Sequence, residues 1–240
     1  MPTLRNIIAE RDFAKKLRRF FYPDTCALCG TLTGEGYVCD SCRRILDKEA
    51  TFPTVNIDGS LGIAVFDEQS VSARRLIARA KYGKSRAVSE LFAEYLLRAV
   101  SKIPDGEEYF ITYIPRSTKG KRRYGTDQCE MIINTEPMRK RTAGVGALFR
   151  RVKLFEAFTS GEQKHLSKRH RFKNASGAFV YDSQEMPHDK VIVVDDIITT
   201  GSSAVACRDI LKRNGTEGVI FAFIQAKSGV YRNSDDKRKR

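Results

Sequence analysis

The sequence predicts an α/β domain, a central parallel sheet with flanking helices, preceded by a small four-cysteine zinc module. Two stretches carry this expectation. Val191-Ile192-Val193-Val194 is a β-branched run with no polar alternation, the pattern of a strand covered on both faces, and a helical pattern follows from Ala204 to Asn214. Cys26-Ala27-Leu28-Cys29 and Cys39-Asp40-Ser41-Cys42 are two C-x-x-C pairs nine residues apart, a spacing that suits four thiolates around one tetrahedral Zn²⁺.

A chain of 240 residues has room for one sizeable α/β domain and a small appendage. Its 41% apolar and 30% charged residues are a globular composition, and no apolar run approaches the ~18–20 residues that span a bilayer. No membrane insertion is expected. Arg5, Glu10, Arg11 and Asp12 interrupt the N-terminal pattern in a way that a secretory signal does not allow, so the expected location is the cytoplasm, where cysteines serve as thiols or metal ligands. A formal charge of +14 favours polyanionic partners: nucleic acid, anionic lipid or phosphorylated substrates. Lys237-Arg238-Lys239-Arg240 adds to that charge as a solvated tail.

In chain order, Leu4, Ile7, Ile8, Phe13, Leu17, Phe20 and Phe21 recur at helical spacing, and Pro23 ends that helix. In the zinc module each C-x-x-C is expected to form a tight knuckle, with Gly30 turning the first; a redox pair is the alternative, but it leaves the second pair without a role. Residues 43–60 read as a connector with room for a short strand. Leu61 to Phe66 is a strand, helices follow over residues 70–80 and 85–102, and Tyr109 to Ile114 is an apolar strand stopped by Pro115. Arg116-Ser117-Thr118-Lys119-Gly120-Lys121-Arg122-Arg123 reads as a loop dense in cations and donors. It can hold pyrophosphate or be a plain exposed basic loop. A helix over Asp127–Arg139, broken by Pro137, and a strand over Leu148–Leu154 come next. The polar, cationic stretch 159–177 suits a lid, Ala178–Tyr181 is a short strand, and Gly218–Gln225 is the last strand after Asn214-Gly215 closes the helix. The expected division is a zinc-binding module over 1–50, an α/β domain over 51–232 and a basic tail over 233–240.

Chemistry concentrates behind the β-branched run. Asp195 and Asp196 stand at its C-terminal end, where ligands of open α/β sheets bind, and Thr199-Thr200-Gly201-Ser202-Ser203 leads into a helix whose free N–H groups favour anions. A bare phosphate is repelled by two carboxylates. A phosphorylated sugar satisfies both halves, its phosphate in the cradle and its hydroxyls donating to the carboxylates directly or through Mg²⁺. A Walker-type reading fails, because the nearest partner, Gly83-Lys84-Ser85, has Ala78 where the first glycine belongs.

This acidic pair and loop resemble the phosphoribosyl-pyrophosphate (PRPP) signature of type I phosphoribosyltransferases. The resemblance implies that Asp195 and Asp196 hold the ribose hydroxyls and that Thr199, Thr200, Gly201, Ser202 and Ser203 hold the 5′-phosphate. Together with the four-cysteine module, the chain resembles the ComF family, associated with DNA uptake during competence. Further matching features are Phe21-Tyr22-Pro23, Lys81-Tyr82-Gly83, Ile114-Pro115, and Gln163, Leu166, Arg171, Asn174, Ala178 and Phe179. Where the family has Arg-Gly-Phe-Asn-Gln, this chain has Tyr124-Gly125-Thr126-Asp127-Gln128, sharing the glycine and the glutamine.

The resemblance implies a type I phosphoribosyltransferase-like domain binding PRPP with Mg²⁺ and displacing pyrophosphate from the ribose C1. Asp195, Asp196, Arg116 and Lys119 are its expected catalytic residues, with Arg116, Ser117 and Lys119 on the pyrophosphate. Cys26, Cys29, Cys39 and Cys42 would hold a structural Zn²⁺. The acceptor is not named by any residue, and neither is the oligomeric state. The other reading is a non-catalytic component of the DNA uptake machinery that senses PRPP or binds single-stranded DNA along basic and aromatic pairs such as Arg123-Tyr124 and Arg171-Phe172, with competence proteins as partners.

Overall fold

In the computed structural model, the described residues are 25–33, 37–57, 60–83, 85–100, 108–136, 138, 148–157, 179–181 and 190–226. The expected N-terminal helix, the 159–177 lid and the basic tail lie outside them.

Elements run α1 (Asp40–Glu49), β1 (Thr54–Ile57), β2 (Ser60–Asp67), α2 (Val71–Gly83), α3 (Arg86–Val100), β3 (Glu108–Tyr113), α4 (Thr118–Tyr124), α5 (Gln128–Ile133), β4 (Leu148–Arg151), β5 (Phe155–Ala157), β6 (Phe179–Tyr181), β7 (Val191–Ile198), α6 (Ser202–Arg213) and β8 (Gly218–Gln225). Six strands form one sheet in the order β1-β2-β8-β7-β3-β4, and β5 and β6 form a separate antiparallel pair. Within the large sheet β1 alone runs antiparallel, against β2; the other four pairings are parallel.

The β-branched run sits in the middle of this sheet, as its apolar continuity requires. Ile192 and Val194 face one side with Ile111, Tyr113, Phe221 and Phe223, packed with α2, α3 and α5. Val191 and Val193 face the other with Phe110, Ile220 and Ala222, under Ala204, Cys207, Ile210 and Leu211 of α6 and the Phe155–Tyr181 aromatic pair of the small sheet. Both faces are dry, so neither could have alternated with polar residues.

The topology places the site. The chain leaves β3 through α4 and α5 towards β4, and leaves β7 through α6 towards β8, in opposite directions across the sheet. β3 and β7 are neighbours, with Tyr113 opposite Val194. Diverging connections from adjacent parallel strands open a crevice at their C-terminal ends, the usual place for a ligand in an open α/β sheet.

Five boundaries differ from the sequence reading. Residues 43–49 belong to α1 rather than to a connector; only Cys42 and Leu46 of that helix are buried, too short a stripe to register as a period. β7 runs on through the acidic pair to Ile198, pairing Asp195 with Ala222 and Ile197 with Ile224. Residues 118–124 form a helix instead of a loop, capped by Ser117 Oγ accepting from the Gly120 N–H at 3.2 Å and ended by Gly125 at φ 74°. Of the expected Asp127–Arg139 helix, α5 holds Gln128–Ile133, a turn interrupts it at Asn134 and Thr135, and Glu136 and Met138 are helical again. The strand expected over Leu148–Leu154 stops at Arg151, where β4 pairs with β3, and a second strand of the small sheet starts at Phe155.

Candidate functional site

The four cysteines converge. Cys26 and Cys29 lie on a knuckle closed by Gly30 N–H donating to Cys26 O at 2.9 Å, with Gly30 at φ 80°. The second pair is not a knuckle: Cys39 caps α1, and Cys42 sits in its first turn. All four Sγ atoms lie within 4.8 Å of one another, and Cys29 and Cys39 are 3.7 Å apart. Tetrahedral Zn–S bonds of ~2.3 Å place sulfurs about 3.8 Å apart, so the cluster could hold Zn²⁺ with little adjustment. Burial pushes the Cys26 thiol up, but the N–H groups of Cys29, Cys39 and Leu28 outweigh it and bring it down to about 6. Those amides already solvate a thiolate.

This cluster is not a separate island. Cys26, Val38, Cys42 and Leu46 join the same apolar core as α2 and α3. Arg79 of α2 donates to Ala27 O, Arg43 pairs with Glu94 at 2.8 Å, and the Tyr95 hydroxyl donates to Asp47 at 3.1 Å.

At the crevice between β3 and β7 lies a cavity of about 520 Å³. Asp195, Asp196 and Ile197 of β7 line it beside Ile114, Pro115, Arg116 and Ser117 from the end of β3. Gly120 and Tyr124 of α4, Asp127, Gln128 and Cys129 at the start of α5, and Lys81 of α2 contribute as well, and Ala157, Phe179 and Ser203 complete the lining.

The acidic pair is held by its own backbone and by two cations. Asp195 Oδ1 accepts from the Asp196 N–H at 2.8 Å, and Asp196 Oδ1 accepts from the Ile197 N–H at 2.7 Å. Asp196 Oδ2 faces Lys81 Nζ at 3.0 Å and Arg116 Nη2 at 3.9 Å. Desolvation, then the neighbouring Asp196 carboxylate, push Asp195 up to about 8. One carboxylate is thus compensated, and the other keeps its proton easily. Such a floor accepts hydroxyl groups well and bare anions poorly.

Arg116 is fixed from several sides. Its N–H donates to Asp127 Oδ2 at 2.6 Å, and its guanidinium lies 4.7 Å over the Tyr124 ring. A Cβ on Gly120 would fall 2.5 Å from Arg116 Cγ, so the arginine stem occupies the space that the missing side chain leaves. Asp127 also caps α5, accepting from the Cys129 N–H at 3.2 Å, and burial raises its carboxyl despite these bonds. Cys129 is buried beside the acids, and burial followed by the charges of Asp196, Asp127 and Asp195 pushes its thiol far up, so it is no nucleophile at neutral pH.

Of the residues expected from sequence, Asp195, Asp196, Arg116, Ser117 and Ser203 line this one cavity. Thr199, Thr200, Gly201 and Ser202 sit in the adjoining turn, where Gly201 caps α6 at φ 72° and Thr200 Oγ1 and Ser202 Oγ are 3.1 Å apart. Lys119 is exposed on α4 and is not part of the lining. Sequence reasoning gave no role to Lys81, Asp127 or Gln128, and it named Tyr124 only as a stacking partner for single-stranded DNA. Lys81 and Gln128 fell among the family-like features, and only the fold brings them to the acids.

No family model matches this chain, and no curated protein does. Among solved structures it is similar to adenine phosphoribosyltransferase from Saccharomyces cerevisiae, at 18% identity over 78% of this chain and 89% of that one, TM-score 0.35. A phosphoribosyltransferase from Corynebacterium diphtheriae gives 14% identity over 80% and 86%, TM-score 0.35. The Trypanosoma brucei adenine phosphoribosyltransferase, solved with AMP, pyrophosphate and ribose-5-phosphate, gives 8% identity over 88% and 89%, TM-score 0.33. Likeness at this level carries no argument about activity, so the functional reading rests on the site itself.

Proposed function

We propose that the cavity binds PRPP with Mg²⁺ and transfers its phosphoribosyl group to an acceptor. The observation that supports this most directly is the meeting of Asp195-Asp196 with Arg116-Ser117 around one cavity at the switch point between β7 and β3. In this reading Asp195 and Asp196 accept the ribose hydroxyls. The turn Thr199–Ser203 receives the 5′-phosphate at the N-terminus of α6, and Arg116 and Ser117, with Lys119 reaching from α4, face the pyrophosphate. The carboxylate oxygens are hard donors of the kind Mg²⁺ takes, so Asp195 and Asp196 fit the ion; bound there, it would neutralise charge on the departing pyrophosphate. The bond from C1 to the pyrophosphate oxygen breaks as the acceptor's nucleophilic atom bonds to C1; pyrophosphate leaves with the electron pair, and the acceptor's proton goes to solvent. Zn²⁺ at the four cysteines has a structural role, since four thiolates leave no open position, and free thiols so arranged suit the reducing cytoplasm.

Calorimetric titration of PRPP with Mg²⁺ tests the reading. Replacing both acids, Asp195→Asn with Asp196→Asn, keeps size and removes charge. Affinity should fall at least tenfold, about 1.4 kcal/mol. Equal binding by both proteins, or none by wild type, overturns the reading. Screening bases, amines and ammonia for PRPP-dependent pyrophosphate release then identifies the acceptor.

One observation favours a second reading. Lys119, Arg122 and Arg123 stand exposed along α4, in a chain of net charge +14. A cationic ridge suits single-stranded DNA, as the resemblance to the ComF family also suggests, with the cavity serving as a sensor. Affinity for single-stranded DNA should then fall with salt by about 0.7 in log K per phosphate contacted. Affinity without a salt slope, or unchanged when Lys119, Arg122 and Arg123 become Ala, removes α4 from any DNA path.

A further inference from the structure

The cavity contains a buried amide without a partner. Gln128 is 2% exposed, and neither its Nε2 nor its Oε1 has a hydrogen-bond partner among the described residues. It lines the cavity as the first residue of α5, immediately after Asp127, whose two carboxylate oxygens are taken by the N–H groups of Arg116 and Cys129 at 2.6 and 3.2 Å. The helix start is therefore tied to the end of β3, and Gln128 cannot easily swing out to water. Arg116 repeats the pattern: its Nη2 faces Asp196 at 3.9 Å, while its Nη1 is buried without a partner. Three polar atoms on two neighbouring elements are thus withdrawn from water and left unpaired. Methionine would fill the Gln128 position without that penalty, so the protein carries a desolvation cost that a bound molecule would repay.

We propose that Gln128, together with Nη1 of Arg116, is a ligand-reading pair for a neutral group that presents a hydrogen-bond acceptor beside a donor, the other edge of the Arg116 guanidinium being the one left to pyrophosphate. The chemistry follows from the donor inventory. Nε2 and Nη1 only donate, and Oε1 only accepts. A fully ionised phosphate satisfies the two donors but leaves Oε1 unpaired against a negative charge. A group with a lone pair next to an N–H or O–H satisfies all three. Two sources offer this: the hydroxyls of a phosphoribosyl ligand, or the amide edge of a second substrate. The first source rests on the phosphoribosyl reading above; the second does not.

The test uses Gln128→Met in the full-length protein, with two probes: PRPP with Mg²⁺ by calorimetry, and uracil, whose ring carries N–H beside C=O, by saturation-transfer NMR with and without PRPP. The variant should be as stable as wild type or more stable, because an unpaired amide has been removed, and should bind one probe at least tenfold more weakly. Loss on PRPP assigns the pair to the sugar; loss on uracil alone assigns it to the second substrate. Undiminished binding of both probes overturns the proposal, as it would if only a water filled the space. A variant less stable than wild type also counts against it, since the amide would then have a partner within the protein. Wild type that binds uracil but not PRPP overturns the phosphoribosyl reading and leaves this one standing, whereas wild type that binds neither removes both.

Discussion

Lys81 Nζ lies 3.0 Å from Asp196 Oδ2, joining the last turn of α2 to the strand that carries the acidic pair. Both side chains are about three-quarters buried, at 26% and 21% exposure, so the pair is screened less than a surface bridge. A helix C-terminus also favours a cation there. Lys81 thereby does two things: it keeps Asp196 oriented, and its charge lowers the neighbouring Asp195 carboxyl against the larger upward effects of desolvation and Asp196.

Lys81→Met should leave Asp196 with Arg116, at 3.9 Å, as its one cation among the described residues, and should raise Asp195 further. Affinity for PRPP or free pyrophosphate should drop roughly tenfold, about 1.4 kcal/mol, because an anion now meets an acidic pair with one cation fewer. Lys81→Arg should restore most of the loss. A purely structural lysine would change thermal stability and leave the affinity where it was.

The raised carboxyl of Asp195 has a signed consequence for stability. Its folded value of about 8 stands above its ordinary 3.8, so between these values the folded protein binds a proton that the unfolded chain releases. That contribution is fully present below about pH 4 and is lost as pH rises towards 8. Asn cannot ionise. Asp195→Asn should match wild type near pH 4 and exceed it by a margin that grows as pH rises towards 8, at up to about 1.4 kcal/mol for each unit of the shift. Thermal melts of both proteins across this range check it; parallel curves would show that Asp195 ionises normally.

The most legible parts of the sequence were those where chemistry and periodicity coincide. Val191–Val194 announced a doubly covered strand because both faces are dry, and Gly218–Gln225 was bounded correctly for the same reason. The cysteines were legible by spacing alone. The α4 helix was hidden because its seven residues carry no buried side chain, leaving no apolar stripe to read. The continuation of β7 through Asp195 and Asp196 was hidden too: carboxylates are poor strand residues, and here backbone pairing with β8 overrides that preference. Lys81 and Gln128 reach the site from α2 and α5, across 47 residues of sequence from one another, and only tertiary packing could have assigned them.

The cysteine cluster makes its own prediction. Purified, reduced protein should carry one Zn²⁺ per chain. Because Cys26, Val38, Cys42 and Leu46 share a core with α2 and α3, metal loss should loosen more than the knuckle. Chelation, or Cys26→Ser or Cys39→Ser, should destabilise the chain by at least about 2 kcal/mol, roughly 4–8 °C in Tm at this size. Cys129 and Cys207 are buried in the sheet domain and should stay unreactive to thiol reagents when the metal is removed. Protein prepared without chelator that contains no metal would refute the assignment.

Gly120 separates a structural role from a functional one at Arg116. It lies inside α4, where Ala ordinarily improves a helix by roughly 0.5–1 kcal/mol. Here an added Cβ would approach Arg116 Cγ at 2.5 Å and Cδ at 2.8 Å, with Ser117 Oγ at 3.3 Å. The flexible arginine stem is the part that gives way, so Gly120→Ala should cost little stability: the helix gains what the displaced side chain loses. The guanidinium would leave its place above Tyr124 and its approach to Asp196. PRPP affinity should therefore fall by about tenfold, near 1.4 kcal/mol, while Tm moves by no more than a few degrees. Arg116→Ala should produce a similar loss, and combining the two substitutions should add little, since both remove the same guanidinium from the cavity. Additive losses would mean that Gly120 serves the site through something other than Arg116, with the Ser117 cap at the start of α4 the next residue to examine.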